Sequence, residues 1–235
     1  MIINRIDRLK QEIAECVLAC NRRLDEVKLL AVTKTHSVDI IKNALCNGIE
    51  FIAESKVQEA EQKIPQLDGL YKEFHFIGHL QSNKINKLLC MKPVLIHSID
   101  KFSTAEKLNQ ALKLINQEQD ILIEVNASGE DSKNGVDPKN LSEILKQIDD
   151  LEYINIKGLM TIGAFTADER IVRKSFIYLR ELFEKEKGKN YSSAQMVYLS
   201  MGMSSDFKIA IEEGAHILRL GSVLFGERNY TKNGG

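Results

Sequence analysis

The chain has 235 residues, of which 43% are hydrophobic and 28% are charged, and its formal net charge is −1. This composition is ordinary for a globular protein, and without a basic block it argues against nucleic acid or an anionic membrane as the main partner. No apolar run reaches the roughly 18 residues of a membrane span, and the amino terminus does not resemble a secretory signal, so we expect a cytoplasmic protein.

The hydrophobic pattern begins with a helix and then repeats a strand-and-helix unit. Apolar residues at helical spacing predict an amphipathic helix over residues 2–22. Short apolar runs predict eight strands, at 28–33, 49–53, 74–77, 94–97, 121–125, 156–160, 196–199 and 215–220. Helices are predicted after these strands, at 37–47, 56–63, 82–89, 102–117, from 137, 166–187, 204–214 and from about 223.

Several helix starts carry local signals. Ser37 is a candidate cap, Asp137-Pro138 combines a cap with a proline in the first turn, and Thr166 with Glu169 fits a capping box. Alternating strands and helices imply a parallel sheet. Eight such units predict the α/β class and a closed (β/α)8 TIM barrel with an extra N-terminal helix, as one domain over residues 1–235.

The four cysteines and the closely spaced histidines do not suggest a metal site. Cys16, Cys20, Cys46 and Cys90 contain no Cys-x-x-Cys pair, and we predict buried free thiols in a reducing compartment. His75 and His79 have the spacing of helical ligands, but they span a strand and its exit and would not share a face. We therefore expect His75 to be a packed strand residue and predict no metal.

Barrel enzymes and binding proteins place their chemistry in the loops after the strands. Lys34 follows the apolar run Leu29–Val32 after one intervening residue, Thr33, at the end of the first strand. A desolvated lysine amine at that position is a candidate Schiff-base former. The alternative is a lysine whose stem lies on the barrel while its amine reaches solvent.

The loops after strands seven and eight predict a phosphate site. Residues 200–205 read Ser-Met-Gly-Met-Ser-Ser, and Gly221-Ser222 follows Arg219. Glycines, hydroxyls and N–H groups at a helix start suit an anion, and barrels often bind phosphate after these two strands. Two ordinary turns are the alternative.

We expect this site to face Lys34 across the barrel mouth and to bind a ligand with an aldehyde and a phosphate, either pyridoxal 5′-phosphate or a sugar phosphate in a Schiff-base aldolase.

Five motifs, in order along the chain, resemble those of the pyridoxal phosphate homeostasis proteins, whose barrel is similar to the N-terminal domain of alanine racemase. They are LAVTKT at 30–35, HFIGHLQSNK at 75–84, GLMTI at 158–162, SMGMSSD at 200–206 and RLGSVLFGER at 219–228. The resemblance implies that Lys34 holds pyridoxal phosphate as a Schiff base. It implies further that Ser204, Ser205, Gly221 and Ser222 surround the phosphate and that Arg219 lies near the pyridine nitrogen.

Three further residues are assigned to the cofactor site. Ser55 stands where the family usually has the asparagine of Gly-Glu-Asn, so this shorter side chain would contact the cofactor through water; His79 would line the mouth and Met201 would shape the pocket. The loop 126–135 also resembles the family and would be a rim or a mobile lid. For Arg219, a strand-end arginine paired with a carboxylate remains the alternative.

The resemblance favours a carrier of pyridoxal phosphate that maintains its intracellular supply, affects amino-acid and keto-acid metabolism and delivers the cofactor to apoenzymes. We expect a monomer without turnover of its own. The alternative is a minimal racemase-like enzyme that depends on the same cofactor. Racemases of similar fold add a second domain with an active-site tyrosine, and this chain ends just after the barrel, so two-base racemisation would lack its opposing acid.

Overall fold

The eight short apolar runs form parallel strands that close into one barrel in the order β1 to β8. The computed structural model describes residues 2–130 and 133–226. The strands are β1 (Lys28–Val32), β2 (Phe51–Glu54), β3 (Glu73–Phe76), β4 (Leu95–Ile99), β5 (Gln119–Glu124), β6 (Ile154–Met160), β7 (Tyr198–Ser200) and β8 (Ile217–Leu220). Closure occurs between β8 and β1, where Lys28 pairs with Ile217 and Ala31 with Leu220. The predicted (β/α)8 barrel is confirmed.

Helices cover the outside of the barrel. They are α1 (Ile2–Ala19), α2 (Val38–Cys46), α3 (Val57–Lys63), α4 (Ile85–Cys90), α5 (Phe102–Ile115), α6 (Leu141–Asp149), α7 (Glu169–Lys187), α8 (Phe207–Glu212) and α9 (Ser222–Phe225). The extra N-terminal helix α1 buries Ile6, Leu9, Ile13 and Val17 and contacts α8 and α9. None of the helices within the described ranges is long and apolar enough to cross a membrane.

Two hydrophobic layers follow from the alternation of side chains along each strand. One set of strand residues packs with the helices in a large outer core that includes Ile52, Phe76, Leu199 and Leu218. The opposite set faces the barrel interior, where a small cluster contains Leu30, Ala53, Leu95, Leu122, Met160 and Ile217. The interior also contains buried polar residues, including His75, His97 and Arg219, so it is only partly apolar.

Some element boundaries differ from the sequence prediction. The last two strands begin later than expected, at Tyr198 and Ile217, although Val197 and His216 just before them already donate backbone hydrogen bonds to the Lys157 and Leu199 carbonyls. The helix expected from Thr166 begins at Glu169, since Asp168 caps it by accepting a hydrogen bond from the Arg170 N–H at 3.0 Å. The helix expected from residue 204 begins at Phe207.

The four cysteines are free thiols, as predicted, but they are not all buried. Cys16 and Cys20 are half-buried against the outer core, whereas Cys46 and Cys90 are exposed. The last two occupy the final positions of α2 and α4. Apolar periodicity predicts which face of a helix a residue lies on. It does not predict how far along the helix neighbouring elements cover that face. In the described ranges, no group of three or more metal-ligating residues comes together.

Gly158 allows β6 and β7 to pair closely. Its φ is +143°, a conformation that side chains disfavour, and a Cβ there would lie 2.0 Å from the Tyr198 carbonyl oxygen. Gly158 pairs directly with Tyr198 in the sheet, so the clash would fall on backbone that cannot move without breaking the ladder. The motif glycine at this position therefore has a packing role.

We predict that Gly158→Ala strongly destabilises the protein. Strain at this φ costs of order 1–3 kcal/mol, and the clash with the Tyr198 carbonyl adds to it, so we expect a loss of at least about 3 kcal/mol in the free energy of unfolding, measured by urea denaturation. Gly188→Ala is the matched control, because its Cβ would meet only ordinary contacts at 3.8 Å or more. Equal effects of the two substitutions would contradict this account of Gly158.

Candidate functional site

The carboxyl ends of β1 and β8 bring together the lysine and the glycine turn singled out from the sequence. One small recess is lined by Val32, Lys34, His36, Gly221, Ser222 and Gly226. Lys34 and the Gly221 turn therefore lie side by side on the rim of the barrel. The expectation that they face each other across the mouth is wrong, because closure of the barrel makes its first and last strands neighbours.

The backbone around Lys34 is held by a cluster that we call the Lys63 cluster: Lys63, Glu54, Glu59 and Thr33. The Lys63 ammonium donates to the Thr33 carbonyl at 3.0 Å, to Glu54 at 2.9 Å and to Glu59 at 2.9 Å. The Thr33 hydroxyl donates to Glu54 at 2.7 Å. The cluster thus fixes the residue that immediately precedes Lys34.

The residue after Lys34 is held by the same cluster. Thr35 has a positive φ of 68°, which is uncommon for a side chain branched at Cβ. Its N–H donates to the Glu59 carboxylate at 2.8 Å, which stabilises this strained turn. Further along, the His36 ring packs on Phe225 of α9, with ring centroids 4.5 Å apart. The Lys34 segment is therefore fixed on both sides.

For both glutamates of the Lys63 cluster, burial raises the side-chain pKa and hydrogen bonding lowers it. Glu54 is fully buried, and this burial raises its pKa despite the hydrogen bonds from Thr33 and Lys63. Its Oε2 has no hydrogen-bond partner among the described residues. For Glu59, burial also opposes ionisation, but the Thr35 N–H and the Lys63 ammonium hold its pKa below the usual value.

Ser204 connects the loop after β7 to the turn after β8. Its hydroxyl accepts hydrogen bonds from the N–H groups of Gly221, at 3.3 Å, and Val223, at 3.2 Å. These two donors lie at the start of α9 and beside the Lys34 recess. Ser205 and Ser222 are exposed. The N–H donors and hydroxyls that the sequence predicts for an anion site therefore lie close together. The site is at the start of α9 and not at the start of α8.

Arg219 is buried at the carboxyl end of β8. Its guanidinium donates to the Ser200 hydroxyl and to the Thr161 carbonyl, each at 2.8 Å. Burial lowers its pKa to about 10, while the charges of Glu124 and Asp206 favour its protonated form. The group is a cation at neutral pH. Among the described residues its hydrogen-bond partners are a hydroxyl and a carbonyl, not the paired carboxylate considered as the alternative.

The other three predicted residues lie elsewhere. Ser55 and His79 line a separate recess of about 540 Å³ after β2 and β3, and Gly78 is so close to Ser55 that a Cβ there would lie 1.9 Å from the Ser55 carbonyl oxygen. Met201 is fully buried in the outer core, so its side chain does not face the Lys34 recess. The assignments of these residues to a cofactor remain predictions.

The loop 126–135 forms part of the rim after β5, although Asp131 and Ser132 lie outside the described residues. Asn126 organises its first turn by accepting hydrogen bonds from the Gly129 N–H at 3.1 Å and the Ser128 hydroxyl at 3.2 Å. Lys133 donates to the Gly163 carbonyl at 2.8 Å and so ties the loop to the segment after β6. Glu227 and Arg228 of the final motif also lie outside the described residues.

Two acidic residues that sequence analysis did not assign to the site are buried at this end of the barrel. Glu124 ends β5, and burial raises its pKa to about 7, with Arg219 lowering it and Asp100 raising it. Asp100 follows β4, and its Oδ1 has no hydrogen-bond partner in the described parts of the chain. A carboxylate within the apolar run Ile-Leu-Ile-Glu-Val was the available signal for Glu124, since buried acids are rare.

Comparison with known proteins identifies relatives along nearly the whole chain. The family model described as "Alanine racemase, N-terminal domain" matches residues 6–229. A "Pyridoxal phosphate homeostasis protein" of Aquifex aeolicus is 41% identical over 226 residues, which cover 96% of this chain and 98% of that protein. One of Helicobacter pylori is 40% identical over 224 residues, covering 95% and 97%.

Solved structures agree with these matches. The structure of PipY from Synechococcus elongatus with PLP bound has a TM-score of 0.83 and 30% identity, and the match covers 96% of this chain and 100% of that one. Alanine racemase from Corynebacterium glutamicum has a TM-score of 0.72 at 12% identity, covering 98% of this chain and 63% of that one. The racemase likeness shows a shared barrel fold.

We predict that Lys63→Met destabilises the protein by about 3 kcal/mol, because it leaves the Glu54 carboxylate buried without its cation. Urea denaturation at pH 7 measures the loss. Lys72→Met is the control, since Lys72 and Glu50 form an exposed ion pair and its loss should cost no more than about 0.5 kcal/mol. Adding Glu54→Gln to Lys63→Met should recover part of the stability, and no recovery would contradict the role given to Glu54.

We predict that Glu124 makes the stability fall as pH rises from 5 to 8. The carboxyl has a usual pKa of 4.5 and a folded pKa of about 7. At pH values between these two, the unfolded chain ionises the group while the folded protein keeps it protonated, so rising pH favours unfolding. This shift in pKa is worth about 3 kcal/mol in the free energy of unfolding, and most of it falls between pH 5 and pH 8.

Urea denaturation at both pH values tests this prediction. Relative to wild type, Glu124→Gln should gain about 2 to 3 kcal/mol in the free energy of unfolding between pH 5 and pH 8. Glu106→Gln, which alters an exposed residue of α5, should leave the pH dependence unchanged. If the free energies of unfolding of wild type and Glu124→Gln change with pH in the same way, the Glu124 carboxyl has the same pKa in the folded and the unfolded protein, and the prediction is wrong.

Proposed function

The chain belongs to the family of pyridoxal phosphate homeostasis proteins, and from this premise we propose that it binds pyridoxal 5′-phosphate and maintains the intracellular supply of this cofactor. The observation that carries the proposal is the shared recess of Lys34 and the Gly221–Ser222 turn. An amine, backbone N–H donors and a buried cation together match the chemistry of an aldehyde, a phosphate and an aromatic ring nitrogen.

Lys34 is proposed as the covalent anchor. Bound pyridoxal phosphate supplies an aldehyde that reacts reversibly with amines. The lysine amine and the aldehyde condense to a carbon–nitrogen double bond with loss of one water molecule, and hydrolysis returns both groups. The Lys63 cluster supports this role, because its hydrogen bonds to Thr33 and from Thr35 fix the backbone on either side of the reacting lysine.

The phosphate is proposed to lie against the loops after β7 and β8. The hydroxyls of Ser204, Ser205 and Ser222 lie there, and the N–H groups of Gly221 and Val223, which donate to the Ser204 hydroxyl in this structure, would turn to the phosphate. Backbone N–H groups at the start of a helix favour an anion through their orientation and through the helix dipole. The adjacent recess would then hold both ends of one small ligand.

Arg219 is proposed to meet the ring nitrogen of the cofactor. A guanidinium is always a donor and stays charged, so a ring nitrogen beside it remains an unprotonated acceptor. An unprotonated ring withdraws electrons weakly from a neighbouring carbanion. This environment suits a protein that holds and releases the cofactor better than one that catalyses carbanion chemistry, and it supports a carrier without turnover of its own.

The carrier proposal extends to partners and location. We propose that pyridoxal-phosphate-dependent apoenzymes receive the cofactor, that the protein acts as a monomer and that it works in the cytoplasm. A minimal amino-acid enzyme is the second candidate, because the family model is that of an alanine racemase domain. Purified protein incubated with L- and D-amino acids separates the two, since turnover that greatly exceeds that of free pyridoxal phosphate and disappears in Lys34→Ala would favour the enzyme.

We predict that the protein turns yellow with pyridoxal phosphate and that borohydride reduction leaves the label on Lys34. The measurements are a visible absorbance spectrum and mass mapping of the reduced peptides. Lys34→Ala should lose the chromophore, whereas Lys101→Ala should keep it, because Lys101 is an exposed residue after β4 at the same end of the barrel. A colourless wild-type protein, or label spread over surface lysines, would contradict the proposal and favour a sugar phosphate.

A further inference from the structure

A continuous line of hydrogen bonds crosses the barrel interior from β1 to β8. We call it the interior chain, and it consists of Lys28, Glu73, His75, His97, Ser200 and Arg219. Lys28 donates to both Glu73 oxygens at 2.7 and 2.8 Å. Glu73 and His75 Nε2 are 2.9 Å apart, His75 Nδ1 and His97 Nε2 are 2.9 Å apart, and His97 Nδ1 and the Ser200 hydroxyl are 2.9 Å apart. Arg219 completes the chain at 2.8 Å from Ser200.

The two ends of the interior chain fix the direction of every bond between them. A guanidinium donates and cannot accept, whereas a carboxylate accepts and cannot donate. His75 therefore carries its hydrogen on Nε2 and donates to Glu73, and as a neutral imidazole it accepts at Nδ1 from the Nε2–H of His97. His97, also neutral, accepts at Nδ1 from the Ser200 hydroxyl, whose oxygen accepts from Arg219.

The surroundings keep both imidazoles neutral, as this arrangement requires. Burial lowers the pKa of His75, although the Glu73 carboxylate opposes the shift. Burial also lowers the pKa of His97 well below its usual value, and the charges of His75 and Arg219 add to this effect. At the far end, the hydrogen bond from His75 and the Lys28 ammonium hold the pKa of Glu73 at about 2.

These values argue against a proton wire through the barrel. Moving a proton from Arg219 to Glu73 would leave a neutral guanidine and a protonated carboxyl. Arg219 remains a far stronger base than Glu73, whose carboxylate is held ionised by His75 and Lys28, so that state is strongly disfavoured. The interior chain is therefore a fixed line of dipoles and not a route for protons.

We propose that Ser200 and His97 are positioning residues that hold the Arg219 guanidinium in one orientation at the barrel mouth. Each of the two contacted Arg219 nitrogens has a defined acceptor, Ser200 for Nη1 and the Thr161 carbonyl for Nη2. Thr161 is itself fixed, because its hydroxyl donates to the Val125 carbonyl at 2.7 Å. His97 orients the hydroxyl of Ser200, and His75 and Glu73 fix the tautomer of His97.

Ser200→Ala tests the proposal with a readout that needs no cofactor. In protein labelled with ¹⁵N-histidine and ¹⁵N-arginine, NMR spectra of wild type should show His75 and His97 neutral at pH 7 with their hydrogens on Nε2. In Ser200→Ala the His97 Nδ1 signal should move, and the Arg219 guanidinium hydrogens should exchange with solvent at least tenfold faster. Ser175→Ala is the matched control, because this buried serine donates within α7, outside the barrel.

A second readout concerns the ligand and rests on the proposed function. Ser200→Ala should bind pyridoxal phosphate about tenfold more weakly and shift its visible absorbance maximum, and Ser200→Thr, which restores a hydroxyl, should recover both. A hydrogen on His97 Nδ1 in wild type would overturn the fixed direction. An unchanged rate of hydrogen exchange at the Arg219 guanidinium in Ser200→Ala would overturn the positioning role proposed for Ser200. Wild type that fails to bind the cofactor, but shows the expected NMR changes, would contradict the proposed function and leave the positioning intact.

Discussion

Closure of the sheet between β8 and β1 is the constraint on which the rest of the structure depends. Pairing of Ala31 with Leu220 brings the first strand of the barrel against the last. A recess forms between them from residues that are far apart in the sequence. Lys34 and Ser222 line this recess together, although nearly the whole chain separates them. The same closure leaves a largely buried interior that has to be filled by side chains.

The interior is filled in a way that serves both stability and the mouth of the barrel. Apolar side chains such as Leu122 and Met160 occupy one part. The rest is occupied by polar groups whose hydrogen-bonding capacity is used by one another, which avoids the cost of burying them without partners. Because the line of polar groups begins at an ion pair between β1 and β3 and ends at Arg219, the packing of the interior determines what the mouth presents to a ligand.

The fold was accessible from the sequence because hydrophobic periodicity repeats eight times, and the position of Lys34 followed from the end of its strand. The sequence did not predict that Lys34 lies beside Gly221, because that arrangement depends on closure of the sheet between β8 and β1. The Lys63 cluster was missed because it unites Thr33, Glu54 and a lysine in the last turn of α3, and no short motif contains them. His97 was missed for a similar reason, since it is an isolated polar residue in its strand and its partners lie on other strands. Ser200 was assigned only to the predicted phosphate loop 200–205, and its contact with His97 could not be predicted because it joins β7 to β4.

The Lys63 cluster has a consequence for the energetics of reversible attachment. One ammonium holds the Thr33 carbonyl and also the carboxylate that receives the Thr35 N–H, so the backbone on both sides of Lys34 is set before any ligand arrives. Little reorganisation is left for the moment of reaction, because the strained φ of Thr35 is already stabilised within the fold. Under the proposed function, attachment and release at Lys34 would involve one side chain on a rigid support, and their equilibrium would depend on the chemistry of the amine and its ligand with little contribution from folding of the loop.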